Sequence, residues 1–148
     1  MLVGPEEKIR ETAGKFRLDI SGFEIVDAPH SEAAAARGVE LIHAAKGEML
    51  MKGSLHTDEL MRSVTAKVGG LRTDRRIGHV FGMDVPAYAE TLFITDAAIN
   101  IFPDLDGKRD IIQNAIDLYT QAGFGKLPRV AILSAVETVT SKIPSTIE

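Results

Sequence analysis

The chain has 148 residues, of which 45% are apolar and 26% charged, a balance typical of one globular domain. Its net charge of −4 argues against a nucleic-acid-binding protein, because such proteins usually carry a basic excess. The absence of cysteine excludes disulfides, thiolate metal sites and thiol catalysis. No apolar run approaches the roughly 20 residues of a membrane span, and no signal-peptide pattern opens the chain. We therefore expect a cytoplasmic protein with no membrane partner.

Short apolar runs alternate with longer helical periods along the first fifty residues. The pattern predicts strands at Met1–Val3, Phe23–Val26 and Glu48–Met51, with helices over 5–14 and 31–45 between them. The first helix begins at a proline, whose missing N–H is not needed in a first turn. We predict that Ser31 caps the second helix and that its buried stripe contains Ala35, Val39 and Ile42.

The remainder of the chain continues this alternation, with one hairpin-like insertion. A third helix is predicted between a cap at Thr57 and a stop at Gly69-Gly70. Its apolar face would consist of Leu60, Met61, Val64 and Val68. The later elements are strands at Ile77–Val85 and Thr91–Thr95 around Pro86, a helix from Asp106 to Gly123 with the stripe Ile111, Ala115, Leu118 and Ala122, a last strand at Arg129–Leu133, and the start of a further element at Ser145.

Together these elements predict an α/β fold of three layers, in which a mostly parallel sheet lies between helices on both faces. No internal repeat, low-complexity stretch or linker interrupts residues 1–148, so we assign them to one domain. Parallel strands are joined by right-handed crossovers, and ligands bind beyond their carboxyl ends. Loops that follow the predicted strands are therefore where binding residues are expected.

Both ends of the sequence suggest a piece of a longer protein. A methionine opens a predicted buried strand directly, with no segment leading into it. At the other end, residues 145–148 resemble a helix cap and first turn with no helix after them. We expect cut ends; a short ordered tail is the alternative for the second one.

The loop over residues 52–57 is the strongest candidate for an anion site. Gly53 lets the backbone approach a ligand, Lys52 supplies positive charge, and the N–H groups of the following helix start are free to bind an anion. Against this, Asp58 and Glu59 in the first turn satisfy the helix dipole themselves. A strand–glycine–helix junction is also common in α/β proteins, so both interpretations stay open.

Arg62 lies farther along the same predicted helix and offers planar, bidentate recognition of phosphate. It would have to reach round the helix toward the 52–57 loop to do so. The alternative is a solvated surface arginine that pairs with Asp58, four residues earlier. Taken alone, the spacing favours this alternative.

Other polar residues follow the later predicted strands. Hydroxyl groups beginning with Ser134 follow the last strand, where binding residues concentrate, although a polar surface loop explains them equally well. His79 is more typical of a packed histidine than of a catalytic base. Asn100 follows a strand and fits either a site edge or a turn. The four histidines show no metal-ligand spacing, and the arginines at 72, 75 and 76 are most simply solvated.

Five segments, in order, resemble the phosphate acetyl/butyryl-transferase family, most of all its phosphotransbutyrylase-like branch. They are LVGPEEKIR, LMKGSLHTDELMRSV, GLR…GHVFGMDVP, LFITDAAINIFPDLDGKRDIIQNAIDL and PRVAILSAVETVTSKIPSTIE. The resemblance implies a homodimeric enzyme that exchanges an acetyl or butyryl group between coenzyme A and inorganic phosphate, without a permanently bound cofactor. It implies direct attack on the acyl carbonyl with no covalent enzyme intermediate, which the absence of cysteine allows.

The resemblance also implies a fold like that of the isocitrate and isopropylmalate dehydrogenases, with two α/β domains and the active site in the cleft between them. Arg62 matches the arginine of the Thr-x-x-x-x-Arg helix, which the family uses to bind phosphate or acyl phosphate. Lys52, Gly53 and Thr57 match a motif that lines the cleft.

Later matches complete the predicted site. Arg129 and Ser134 match the family's last-strand motif, and Ser145 and Thr146 match the Pro-Ser-Thr at the next helix start. His79 matches a family histidine that usually follows a serine; a glycine precedes it here, which removes that hydroxyl. His79 and Asn100 are therefore carried only as possible cleft residues.

The family's catalytic Asp, its Ser-Arg phosphate ligands and most of its coenzyme A surface belong to a later segment with no counterpart in the 148 residues. We therefore expect the isolated chain to hold the phosphate side of the cleft and to be inactive. One alternative is a non-catalytic domain that binds acetyl-CoA or phosphate, as in some malic enzymes; another is a structural fragment. Acyl preference cannot be predicted, because one methylene changes specificity by only ~1–3 kcal/mol.

Overall fold

The strands of the chain form one parallel and one antiparallel pair in the computed structural model, which describes residues 1–124 and 127–147. One pair lies in a unit formed by Met1–Arg72 and the other in a unit that begins at Thr73. The predicted α/β class is confirmed. The sheet is smaller than predicted, because each described strand pairs with a single neighbour.

In the first unit a strand–helix–strand motif brings two strands together in parallel. Strand β1 (Leu2–Gly4) leads into helix α1 (Glu6–Phe16), and β2 (Ile25–Asp27) pairs with β1. The Asp27 carboxylate accepts a hydrogen bond from the Glu6 N–H at 2.9 Å. The end of β2 therefore satisfies one of the free N–H groups at the start of α1.

Helix α2 (Ser31–His43) contributes most of the buried side chains of the first unit. The predicted stripe is confirmed at Ala35 and Val39, which are buried together with Leu41. The cap is His30 rather than Ser31, because the His30 ring nitrogen Nδ1 accepts from the Ala33 N–H at 3.2 Å. The Ser31 hydroxyl instead donates to another helix.

Helix α3 (Thr57–Val64) is shorter than predicted. Its cap is His56, and Thr57, the predicted cap, is its first residue. At its end the Thr65 hydroxyl donates to the Met61 carbonyl at 2.7 Å, and the Leu71 N–H donates to the Val64 carbonyl at 2.8 Å, which closes a turn after the helix. A Cβ at Gly70 would lie 2.4 Å from the Ala66 carbonyl oxygen, so this turn requires glycine. Val68, predicted on the apolar face, lies past the helix and is exposed.

The strand predicted at Glu48–Met51 is absent, so that prediction is wrong. A strand needs a neighbour for its backbone hydrogen bonds, and none of the strands in the described residues pairs with this segment. Met49 and Met51 are 83% and 87% exposed. Only Leu50 packs inward, with its Cδ2 3.2 Å from the position that a Cβ on Gly38 would take.

The second unit contains the predicted hairpin-like pair of strands. Strands β3 (Val80–Met83) and β4 (Leu92–Thr95) are antiparallel, with Val80 opposite Thr95. From β4, Phe93 packs edge-on against Tyr119 of the following helix at 5.3 Å between ring centroids. The opposite face of the pair leaves Phe81 and Ile94 exposed.

Helix α4 (Leu105–Gln121) buries Ile111 in the second unit. It begins slightly earlier than predicted because the Asp104 carboxylate accepts from the Gly107 N–H at 2.9 Å and caps it. The predicted stripe fails at Leu118 and Ala122, which are both exposed. At 17 residues α4 is the longest described helix. None of the helices in the part of the chain described here is long and apolar enough to cross a membrane.

The strand predicted at Arg129–Leu133 is also wrong. None of the described strands offers this segment a ladder of backbone hydrogen bonds, and Ile132 and Leu133 are exposed. The element predicted to start at Ser145 is a short 3-10 turn over Pro144–Thr146, and the last residue of that prediction, Glu148, lies outside the described residues.

The loop after β4 is organised around Asp96. Its carboxylate accepts from the backbone N–H groups of Ile99 at 3.0 Å, Asn100 at 3.1 Å and Ala98 at 3.3 Å, and from the Asn100 side chain. Partial burial raises the pKa of Asp96, but the hydrogen bonds from Asn100, Ile99 and Ala98 outweigh it and hold the pKa below its usual value. The ionised carboxylate therefore stabilises this loop.

We expect Leu41→Ala to lower the free energy of unfolding by about 2–4 kcal/mol, because it leaves a cavity in the first unit. Leu41 is 6% exposed. Leu18→Ala is the matched control, since Leu18 belongs to the same unit and is 59% exposed. Urea unfolding followed by circular dichroism measures both, and equal losses would contradict this core assignment.

We expect Asp96→Ala to destabilise the protein at neutral pH and to lose that effect in acid. Because the native pKa is depressed, the ionised carboxylate stabilises the fold in full above the usual value of about 4, and the contribution disappears as pH falls through the native pKa. Thermal unfolding from about pH 7 to about pH 2 measures the gap from wild type. Asp84→Ala removes the same charge from the segment after β3 and is the matched control. A loss of stability in Asp96→Ala that is no larger than in this control at neutral pH would contradict the role of Asp96.

Candidate functional site

The loop over residues 52–57 is held by its own lysine. The Lys52 ammonium donates to the Leu55 carbonyl at 3.2 Å and lies 3.5 Å from the Gly53 carbonyl. A Cβ on Gly53 would meet nothing within 4 Å, so the backbone is open to solvent at this point. Thr57 follows as the first residue of α3. The loop thus presents a cation and an accessible backbone beside a helix start, a combination suited to an anion.

Arg62 lies in the last turn of α3 and contacts two carboxylates. Its Nη1 donates to Glu32 Oε1 at 3.0 Å, and its Nη2 lies 3.9 Å from Asp58 Oδ2. The pairing with Asp58 is the one that the four-residue spacing predicted for a surface arginine. The closer partner, Glu32, comes from α2, thirty residues earlier, and no local spacing pointed to it.

A second contact joins the same two helices. The Ser31 hydroxyl donates to Glu59 Oε1 at 2.9 Å, and the other oxygen of that carboxylate accepts from the His56 N–H at 3.1 Å. Glu59 therefore satisfies one N–H group at the start of α3, that of His56, while linking α3 to α2. We call the four side chains Ser31, Glu32, Glu59 and Arg62 the helix junction.

In the second unit, His79 and Asn100 both make structural contacts. The His79 ring packs edge-on against Phe81 at 4.3 Å, as expected for a packed histidine. Its Nδ1 is buried and makes no hydrogen bond within the described residues. The Asn100 amide donates to the Ile77 carbonyl at 2.9 Å and to Asp96, which fixes the loop after β4.

Two of the predicted hydroxyl residues meet at the end of the chain. The Oγ atoms of Ser134 and Ser145 are 3.3 Å apart although eleven residues separate them. The Thr146 hydroxyl donates to the Thr140 carbonyl and accepts from the Thr140 N–H, both at 2.9 Å. These two hydrogen bonds close the loop over residues 140–146. Arg129 is exposed, with its Nη2 3.8 Å from the Glu90 carboxylate.

Of the three arginines at 72, 75 and 76, which were predicted to be solvated, Arg75 forms an ion pair with a helix. The Arg75 guanidinium donates to Asp117 of α4 at 2.7 Å. This hydrogen bond, with a second from Gln113, holds the pKa of Asp117 below its usual value. Arg75 and Gln113 also line a surface cavity of about 310 Å³ together with Asp106, Arg109 and Asp110. Because its charges are of both signs, the cavity does not select for an anion.

Within each unit, the structure shows what the candidate residues can do. In the first unit Lys52 lies on the loop and Arg62 on the helix that follows it, α3. Both are cationic donors of the kind that bind an oxyanion. In the second unit Ser134 and Ser145 supply neutral donors, and His79 and Asn100 serve packing and loop geometry. Neither group, as described, combines a nucleophile with an adjacent general base.

Comparison with known proteins places the chain in a family. Residues 31–148 match the family described as Phosphate acetyl/butaryl transferase. Over all 148 residues the chain is 69% identical to the phosphate acetyltransferase of Rhizobium meliloti and 38% identical to the phosphate butyryltransferase of Clostridium acetobutylicum. It spans 46% and 49% of the length of these two relatives.

A solved structure has a similar fold. It is that of a branched-chain phosphotransacylase from Enterococcus faecalis V583, with a TM-score of 0.71 and 24% sequence identity. The similarity covers 99% of this chain and 61% of that one. The match of residues 31–148 to the family model confirms the family resemblance of the five sequence segments. The chain belongs to the phosphate acetyl/butyryl transferase family.

Proposed function

We propose that the protein containing this chain exchanges an acetyl or butyryl group between coenzyme A and inorganic phosphate. The observation that carries the proposal is the family match over residues 31–148, supported by transferase relatives that align along the whole chain. Those relatives are named as transferases, which favours catalysis over the regulatory alternative. Acyl-CoA and phosphate are then substrates, and no permanently bound cofactor takes part.

In this reaction a phosphate oxygen attacks the acyl carbonyl carbon, the bond from that carbon to sulfur breaks, and the coenzyme A thiolate leaves. No covalent bond to the protein forms. Catalysis then depends on holding the two substrates together and on donors that stabilise the developing negative charge. The protein must therefore supply cations and N–H or O–H donors around phosphate.

We assign the phosphate side of the reaction to the first unit. Arg62 would bind two phosphate oxygens with its planar guanidinium, and Lys52 would add a point charge. Gly53 and Thr57 would let the phosphate approach the backbone at the start of α3. The positions of these residues on one loop and the helix after it support this assignment.

A second set of donors is proposed in the second unit. Ser134, Ser145 and Thr146 would present hydroxyl groups to a substrate, with Arg129 as a nearby cation. The 3.3 Å approach of Ser134 to Ser145 supports a shared position for the two hydroxyls. His79 and Asn100 would act through the loop after β4 rather than by touching substrate.

We propose the three-layer, isocitrate/isopropylmalate dehydrogenase-like fold for the complete protein, with residues 1–148 as part of one of its two domains. The fold similarity to the branched-chain phosphotransacylase supports it. We also propose that the protein is a homodimer, from the family resemblance, and that it is cytoplasmic, from its sequence.

We expect Arg62→Ala, in the protein encoded by the complete gene, to raise the KM for phosphate about 10- to 100-fold. The reason is the loss of charge-assisted hydrogen bonds. Steady-state acyl transfer with acetyl-CoA and butyryl-CoA measures it. Arg37→Ala is the matched control, because Arg37 is an exposed arginine on α2 that pairs with Glu40, three residues later on the same helix. An unchanged phosphate KM and rate in Arg62→Ala would refute the site assignment.

The isolated 148-residue chain is expected to show no measurable transfer from butyryl-CoA to phosphate. The physical reason is that it supplies phosphate-binding groups without the Asp and the Ser-Arg pair that the family resemblance assigns to another segment. The release of free thiol in the presence of phosphate measures the reaction. Clear turnover by the purified chain, verified by intact mass, would show that these residues are sufficient.

A further inference from the structure

The ion pair between Arg62 and Glu32 occupies one of the N–H donors of the proposed phosphate site. A guanidinium binds phosphate best through two parallel N–H donors. Here one N–H of Nη1 donates to Glu32 at 3.0 Å, and Nη2 lies 3.9 Å from the Asp58 carboxylate. The guanidinium has five N–H donors, and the one that Glu32 accepts is available to phosphate only when the Glu32 carboxylate moves away.

Charge opposes phosphate in the same place. Two carboxylates face one guanidinium, so the immediate surroundings of Arg62 carry an excess of negative charge. Phosphate at neutral pH is itself an anion and is repelled by carboxylates that remain close to it. Of the two, Glu32 is the nearer to the guanidinium and comes from a different helix.

The Arg62–Glu32 pair is exposed, so it is easily exchanged. The Glu32 side chain is 60% exposed, and ion pairs of this kind are weak and screened by salt. Releasing it leaves the rest of the helix junction in place, because Ser31 still donates to Glu59. The buried Ala35 and Val39 hold α2 independently of it.

Resting on the proposed function, we infer that Glu32 is an internal competitor of phosphate for Arg62. It holds the guanidinium when the site is empty and must leave it when phosphate binds. Glu32 therefore lowers the affinity of the protein for phosphate, and its exchange with phosphate removes one of the two side-chain hydrogen bonds described here between α2 and α3. Asp58, at the longer distance and on the same helix as Arg62, contributes less.

The test measures binding of inorganic phosphate to the 148-residue chain by isothermal titration calorimetry at constant ionic strength. Four proteins are compared: wild type, Glu32→Gln, Glu40→Gln and Arg62→Gln. Glu40→Gln is the matched control, since it removes the same charge from a 63% exposed position on the same helix, where the partner is Arg37. Circular dichroism establishes that all four have the same helix content.

We expect Glu32→Gln to bind phosphate about two- to fivefold more tightly than wild type, the range that an exposed ion pair allows. Glu40→Gln should match wild type and Arg62→Gln should bind at least tenfold more weakly. The gain in Glu32→Gln should shrink at about 1 M sodium chloride, because salt screens the competing pair.

Two outcomes overturn the inference in different ways. If Glu32→Gln binds phosphate as wild type does or more weakly, while Arg62→Gln loses binding, Glu32 orients the arginine or is neutral and the proposed phosphate site stands. If Arg62→Gln binds phosphate as well as wild type, or if none of the four proteins binds it, the phosphate site fails and the inference fails with it. Asp58→Asn provides a second variant and should gain less than Glu32→Gln.

Discussion

The hydrogen bond between Ser31 and Glu59, with the ion pair between Glu32 and Arg62, fixes where the candidate phosphate residues lie. These contacts join the first turn of α2 to α3. Helix α2 is in turn held by its buried face, through Ala35, Val39 and Leu41. The 52–57 loop is thus anchored from its C-terminal side by a helix whose position depends on the core of the first unit.

The same carboxylates that connect the helices also set the electrostatics of the site. Glu59 is fully engaged by Ser31 and the His56 N–H, so it serves the junction. Glu32 and Asp58 instead lie against Arg62 in solvent. Exposed ion pairs add little to stability, and a pair that adds little can be exchanged for a ligand. Arg62 therefore links α3 to α2 through Glu32 and is also the residue proposed to bind phosphate.

The sequence predicted local elements well where a repeating apolar pattern and a cap coincide. Helices α1, α2 and α4 and the β3–β4 pair were found, because amphipathic periodicity and turn residues are local properties. It failed at Glu48–Met51 and Arg129–Leu133, two apolar runs with which none of the strands in the described residues pairs. A short apolar run indicates that its side chains avoid water. Whether it forms a strand depends on a second segment that lies alongside it and accepts its backbone hydrogen bonds.

The residues of the candidate site were likewise predictable from the sequence, whereas their contacts were not. The sequence by itself determined the family, the loop glycine and lysine, and the arginine on the helix that follows them, because these are residue identities in a fixed order. Only the tertiary structure decided that Glu32 is the nearest partner of Arg62 and that Ser134 meets Ser145. Those contacts join residues thirty and eleven positions apart. They depend on how helices and loops pack, which no local pattern of the sequence specifies.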